Sequence, residues 1–307
     1  MGVSASVCRI RLFTLNGDDG ACPYFWPIGA GGENERHMLL FFSHMSGGQY
    51  ILGDYDTNRD VLVATGHGKF NHGAVNPSGV HAPSATPDGT GGIVVLFNMN
   101  RGKSAEGWNQ IMTLPRRLSL TGDATLAMEP AGDVESLRRN HVRIARRTIR
   151  ANQEAVLEDI QGNAIEIVAE IDTRGAPMVE LNVLRSPDKE EYTRIAIYRE
   201  RGYRNRDDDR EAPESIVTID SSYSSILPDA RSRPPESAPV YLAPDETVRL
   251  RIFVDKSVVE AFVNGKQCAA MRVYPARNDS TGVSIRSQGC DVELVSMDAW
   301  QMESIYG

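Results

Sequence analysis

The stretch Leu250-Arg251-Ile252-Phe253-Val254-Asp255-Lys256-Ser257-Val258-Val259-Glu260-Ala261-Phe262-Val263-Asn264-Gly265 decides the fold class. Residues 250–254 and 258–263 are dense in β-branched and aromatic side chains, which suit a pleated, half-buried surface. Asp255-Lys256-Ser257 between them is turn chemistry. Asn264-Gly265 supplies the positive φ values of a two-residue I′ turn, with the next strand beginning at Lys266. Three consecutive antiparallel strands are predicted. Asp255 and Glu260 then read as structural, the first as a turn residue and the second on the strand face opposite Val259 and Ala261.

The same signals recur on both sides. Runs at 164–171, 179–184, 194–198, 216–220 and 292–297 predict further short strands, enough for a sandwich. Runs at 38–43, 49–54, 61–65, 93–98 and 110–114, divided by Gly47-Gly48, Asn76-Pro77 and Asp88-Gly89, predict a second β region. Helical periodicity is confined to 134–139 and 146–157, too little for an α/β fold. Residues 121–139, with Gly122, Pro130 and Gly132, read as a connector, which divides the chain into domains at 1–139 and 140–307. Segments 201–213 and 228–239 read as solvated loops.

Composition narrows the function classes. A chain of 307 residues, 41% hydrophobic and 24% charged, is globular and long enough for two cores. A net charge of -8 without a basic block argues against nucleic acid as partner. Apolar runs such as 92–97 fall far short of the roughly 20 residues a membrane helix needs. Residues 1–16 are interrupted by Arg9 and Arg11 and carry no secretory core, so the cytoplasm is the default expectation. Cys8, Cys22, Cys268 and Cys290 form no CxxC pair and read as mostly buried thiols. Five histidines, His37, His44, His67, His72 and His81, crowd one segment without metal-ligand spacing, so no metal and no cofactor is expected.

The opening stretch, with Arg272-Val273-Tyr274-Pro275 after it, resembles the C-terminal sandwich signature of glycoside hydrolase family 32, the invertase and β-fructofuranosidase family. Residues 218–224 resemble a second sandwich motif, and residues 107–120 resemble the last strand of that family's propeller. The similarity extends over about residues 17–300. It implies an all-β fold, a partial five-bladed β-propeller followed by a β-sandwich, with no counterpart of the first blades. It also implies hydrolysis of terminal fructosides such as sucrose, inulin or levan, and a fructose-containing oligo- or polysaccharide as partner. The competing reading is a non-catalytic carbohydrate-binding or structural β-sandwich protein.

Retaining glycosidases need two carboxyl groups about 5 Å apart. The family's nucleophile motif, of Trp-Met-Asn-Asp-Pro-Asn-Gly type, and its Arg-Asp-Pro motif have no counterpart in this sequence. Its Glu-Cys-Pro motif is matched by Gly20-Ala21-Cys22-Pro23, with Ala21 in the acid/base position, and a methyl group cannot shuttle a proton. Asp18 and Asp19, immediately upstream, are the carboxylates that could assume that role; Gly17-Asp18-Asp19-Gly20 also reads as a solvated turn. Tyr24, Trp26, Asp54, His81 and Asn98 are the candidate sugar-contacting residues, since aromatic faces stack on sugar rings while carboxylates and amides bond hydroxyls. Each also reads as a strand-end or core residue. His81 stands where the family has an Asp-Phe-Tyr-Ala-Pro type motif.

Overall fold

The structure, a computed structural model, describes residues 19–29, 31, 35–202 and 212–305. The chain forms two compact units, Met1–Asn100 with Gln110–Gly132, and Arg101–Asn109 with Asp133–Gly307. No helix among the described residues is long and apolar enough to cross a membrane.

The first unit holds β1 (Ala21–Ile28), β2 (Arg36–Ser43), β3 (Gly47–Asp56), β4 (Val61–Lys69), β5 (Val80–Pro87), β6 (Ile93–Met99), β7 (Ile111–Met112), β8 (Arg116–Leu120) and β9 (Leu126–Pro130). They make two antiparallel sheets, ordered β1-β2-β3-β4 and β5-β6-β8-β9, with β7 paired to β6. On β6, Ile93, Val95, Phe97 and Met99 are buried and the residues between them are half-buried, the period of two that a pleated strand imposes. Phe97 is central: Phe70 packs 4.7 Å from it and the wholly buried Arg116 lays its guanidinium over the ring at 5.5 Å.

The second unit continues with β10 (Arg138–Ile144), β11 (Arg147–Ile149), β12 (Glu154–Gln161), β13 (Ala164–Asp172), β14 (Met178–Arg185), β15 (Thr193–Tyr198) and β16 (Ser215–Asp220). It ends with β17 (Glu236–Val240), β18 (Val248–Asp255), β19 (Val258–Val263), β20 (Gln267–Arg272), β21 (Gly282–Gln288) and β22 (Val292–Met302). One sheet runs β10-β22-β13-β18-β19-β20, with β11 also on β22; the other runs β12-β21-β14-β15-β16-β17. Alternate residues of the two sheets meet in one core: Ile165, Ile167, Leu250, Ile252 and Val259 from the first, Val179, Leu181, Ile195, Val217 and Ile285 from the second. Burying each such side chain contributes about 1.5–3 kcal/mol, which makes this two-layer sandwich the main source of stability in the unit. The hairpin predicted at Asn264-Gly265 is present, with φ of 52° and 65° and the Lys266 N–H donating to the Val263 carbonyl at 2.9 Å, but Val263 pairs with Gln267, so the next strand begins one residue later than the expected Lys266.

The off-core face of the first sheet carries charge. Glu166, fully buried, accepts a forked pair of bonds from Arg138 at 2.8 and 2.7 Å and a third from Arg251 Nε at 2.6 Å. Arg138 in turn lies 4.0 Å from the Trp300 ring, which stacks on His141.

Several sequence expectations are corrected here. The helix expected over 146–157 is instead strand: Arg147–Ile149 pairs with β22 and Glu154–Gln161 pairs with β21, and Ile149, Leu157 and Ile160 enter the core. Sheet partners satisfy the backbone and core burial outweighs a weak local periodicity. Over 134–139 only Val134–Leu137 is helical, as one 3-10 turn. The connector read over 121–139 contains β9, and the loop read over 228–239 ends in β17, where Pro239 is tolerated because β17 is an edge strand. Cys22 and Cys290 are exposed thiols, Cys22 at a strand irregularity and Cys290 in the turn before β22; Cys268 is buried.

Candidate functional site

Of the candidate residues of the first unit, Asp19 lies just before β1 against the hairpin joining β2 to β3, His81 and Asn98 lie on β5 and β6, and Tyr24, Trp26 and Asp54 lie along β1 and β3. Ala21 opens β1 opposite Phe42, and the register slips between Ala21 and Tyr24, where Cys22 takes φ 47°. Just before this slip, Asp19 lies against His44, the residue that follows β2. Asp19 there accepts the His44 backbone N–H at Oδ1 (2.9 Å), and its Oδ2 lies 2.5 Å from His44 Nδ1. The His44 backbone N–H and then its ring hold the Asp19 carboxyl below the usual range, so it is ionised at neutral pH.

An aromatic step leads onward from this pair. The His44 ring is 4.8 Å from Phe42, and Phe42 meets His81 edge to face at 5.8 Å. His81 Nδ1 lies 3.1 Å from the Asn98 carbonyl, and burial pushes the imidazole pKa down, which favours the neutral ring. The Asn98 amide donates to Gln110 Oε1 at 2.5 Å, and Gln110 donates to Asn100 Oδ1 at 3.1 Å. The row from Asp19 to Asn100 alternates acceptors, donors and a ring face, the vocabulary that polyhydroxylated ligands require.

Gly47 makes the junction possible. Its φ is 82°, and a Cβ there would stand 2.4 Å from the Val80 carbonyl oxygen and 2.6 Å from Asn71 Cβ. The same Asn71 accepts the Val80 N–H at 2.9 Å, so the β2–β3 turn and the residue preceding His81 are fixed against each other.

Asp19, His81 and Asn98 are thus brought into one row. Tyr24 and Trp26 share a face of β1 with ring centroids 5.1 Å apart, and Asp54 pairs with Arg36 at 3.4 Å. Asp18 lies outside the described residues. His44, Phe42 and Gln110 were missed in the sequence; only the crowding of histidines pointed toward His44. Among the described residues no three His, Cys, Asp or Glu side chains are grouped to hold a metal.

A beta-fructofuranosidase, insoluble isoenzyme, of Arabidopsis thaliana is 23% identical over 92% of this chain and 58% of its own length. The sucrose-6-phosphate hydrolase of Staphylococcus xylosus is 28% identical over 90% of this chain and 50% of its own. The chain therefore spans about half the length of these curated relatives. Fructan 1-exohydrolase IIa from Cichorium intybus superposes with a TM-score of 0.79 at 18% identity, over 93% of this chain and 62% of that one, a likeness of fold. The family described as glycosyl hydrolases family 32 C terminal matches residues 133–301, more than half of the sequence. On that match the chain belongs to glycosyl hydrolase family 32.

Proposed function

We propose that this chain carries the later propeller blades and the sandwich of a β-fructofuranosidase-type glycosidase acting on terminal fructosides such as sucrose, inulin or levan. We further propose that the 307-residue polypeptide recognises such saccharides without cleaving them. The relatives support the substrate class: a levanase of Bacillus subtilis and a fructan 6-exohydrolase of Beta vulgaris are among them. The observation that carries the second part is the Asp19–His44 pair. Ala21 offers no proton, and Asp19, two residues before it, is held ionised by two bonds from one residue, so neither acts as the general acid that expels the leaving sugar.

In this reading Asp19 and Asn98 accept and donate to sugar hydroxyls, neutral His81 does the same, and Tyr24 and Trp26 offer ring faces. Asp54, tied to Arg36, sits at the periphery. Nuclear magnetic resonance titration of the chain with 1-kestose tests this: resonances of Trp26, His44 and His81 are expected to move saturably. Signals there that remain fixed while fructose is also not released would refute recognition at this site.

A further inference from the structure

The second unit contains a cavity of about 370 Å³ that the first unit's site does not involve, lined by residues from Lys103 to Thr281. Its volume falls in the range of small-molecule pockets, about 300–1,000 Å³, and suits a ligand of two or three sugar rings.

The wall is built rather than incidental. Glu191, fully buried, accepts the N–H groups of Ile226 (2.8 Å), Ala276 (2.9 Å) and Arg277 (3.0 Å) and the Ser280 hydroxyl (2.7 Å). Burial opposes its ionisation, and these four donors outweigh burial, leaving its pKa below the usual carboxylate value. One carboxylate thereby pins the loop between β20 and β21, which forms much of the lining. The Tyr274 ring is fixed from two sides, its hydroxyl accepting the Gly102 N–H at 2.8 Å and its face lying 5.1 Å from the Arg272 guanidinium. Such prior ordering lowers the entropy lost when a ligand binds.

Charge then selects the ligand class. Three cations line the cavity. Lys103 is neutralised by Asp229 at 2.8 Å, and Arg277 by Asp188 (2.9 Å), Glu190 (2.6 Å) and Asp279 (2.8 Å). Lys256, held in a left-handed turn at φ 50° with its N–H on the Asn163 carbonyl, has no ion pair among the described residues. A polyanion would need several unbalanced cations; one ammonium beside the amides of Asn163 and Asn278 and the Thr281 hydroxyl suits neutral hydroxyl groups. Leu184, Leu227 and Pro275 supply the apolar surface that meets the C–H faces of a sugar.

We propose that this cavity is a second saccharide site, taking a neutral di- or trisaccharide through Lys256, Asn163, Asn278 and Thr281. It does not depend on the first unit's site being a fructoside site. The test is titration of the full chain with sucrose, 1-kestose and, separately, inorganic phosphate, followed by nuclear magnetic resonance, with melting temperature recorded for each variant. The two sugars should shift Asn163, Lys256, Asn278 and Thr281 saturably. Lys256→Asn, which keeps a residue suited to left-handed backbone, and Asn278→Ala should each weaken that binding roughly fivefold, about the worth of one hydrogen bond, with melting unchanged. His81→Ala should leave these shifts intact, so that failure at either site is read separately. Sugars that leave the cavity resonances unmoved, phosphate moving them in place of sugars, or affinities unaltered in both variants would each overturn the proposal.

Discussion

Asp19 Oδ2 lies 2.5 Å from His44 Nδ1 while Asp19 Oδ1 takes the His44 backbone N–H, so one carboxylate fixes both the ring and the main chain of a single residue. Because these bonds depress the Asp19 pKa, the stabilisation is present above the ordinary value of 3.8 and is lost as pH falls through the folded value. In His44→Ala the ring bond goes and the backbone bond remains. The Asp19 carboxyl signal should then titrate closer to its ordinary value than in the parent chain, and an unchanged midpoint would separate the two residues.

Gly47→Ala should damage the same junction from beneath. The new Cβ would collide with the Val80 carbonyl and Asn71, neither of which is a flexible side-chain end, and φ 82° is costly for alanine. A loss above about 1 kcal/mol in denaturant unfolding is expected, accompanied by shifted His81 resonances. A loss within about 0.5 kcal/mol, the range of ordinary surface substitutions, would contradict the close approach.

In the sandwich, Arg138→Ala should leave the buried Glu166 with Arg251 alone. Breaking a buried pair from one side costs about 3 kcal/mol, which for a unit of this size lowers the melting temperature by about 6–12 °C. Arg138→Lys, which keeps charge but cannot form the forked pair, should fall between. Calorimetry giving all three proteins the same melting temperature would refute this assignment.

Acid should weaken the sandwich through Glu154. Burial raises its pKa, while bonds from Arg185, Ser284 and Lys189 bring it down to about 2 from 4.5. A depressed pKa gives stability that is complete above the ordinary value and disappears as pH falls from about 4.5 toward about 2. The melting-temperature gap between the parent and Glu154→Gln should therefore be constant near neutrality and close over that window. A gap that widens in acid would reverse the sign.

How much of this was legible in the sequence depended on how local the cause was. Asn264-Gly265 declares its turn because positive φ is a property of those residues. The strands at β13, β14 and β18 declare themselves because both flanking strands demand the same alternation. By contrast β5, with Pro83 and Pro87, and β17, with Pro239, carry breakers that only their edge positions excuse. The segment 146–157 shows weak helical spacing that distant pairing with β21 and β22 overrides. His44 could not be joined to Asp19 across 25 residues without knowing that β1 pairs with β2. The sandwich cavity draws on loops from Lys103 to Thr281, and no spacing rule spans them.

Fructose release by the purified 307-residue chain from sucrose, inulin and levan tests the central claim most directly. If, as proposed, Ala21 replaces the acid and Asp19 is held ionised by His44, release should stay at background for the parent chain and for Asp19→Asn alike. Turnover by the parent that disappears in Asp19→Asn would contradict the account and identify Asp19 as the working acid.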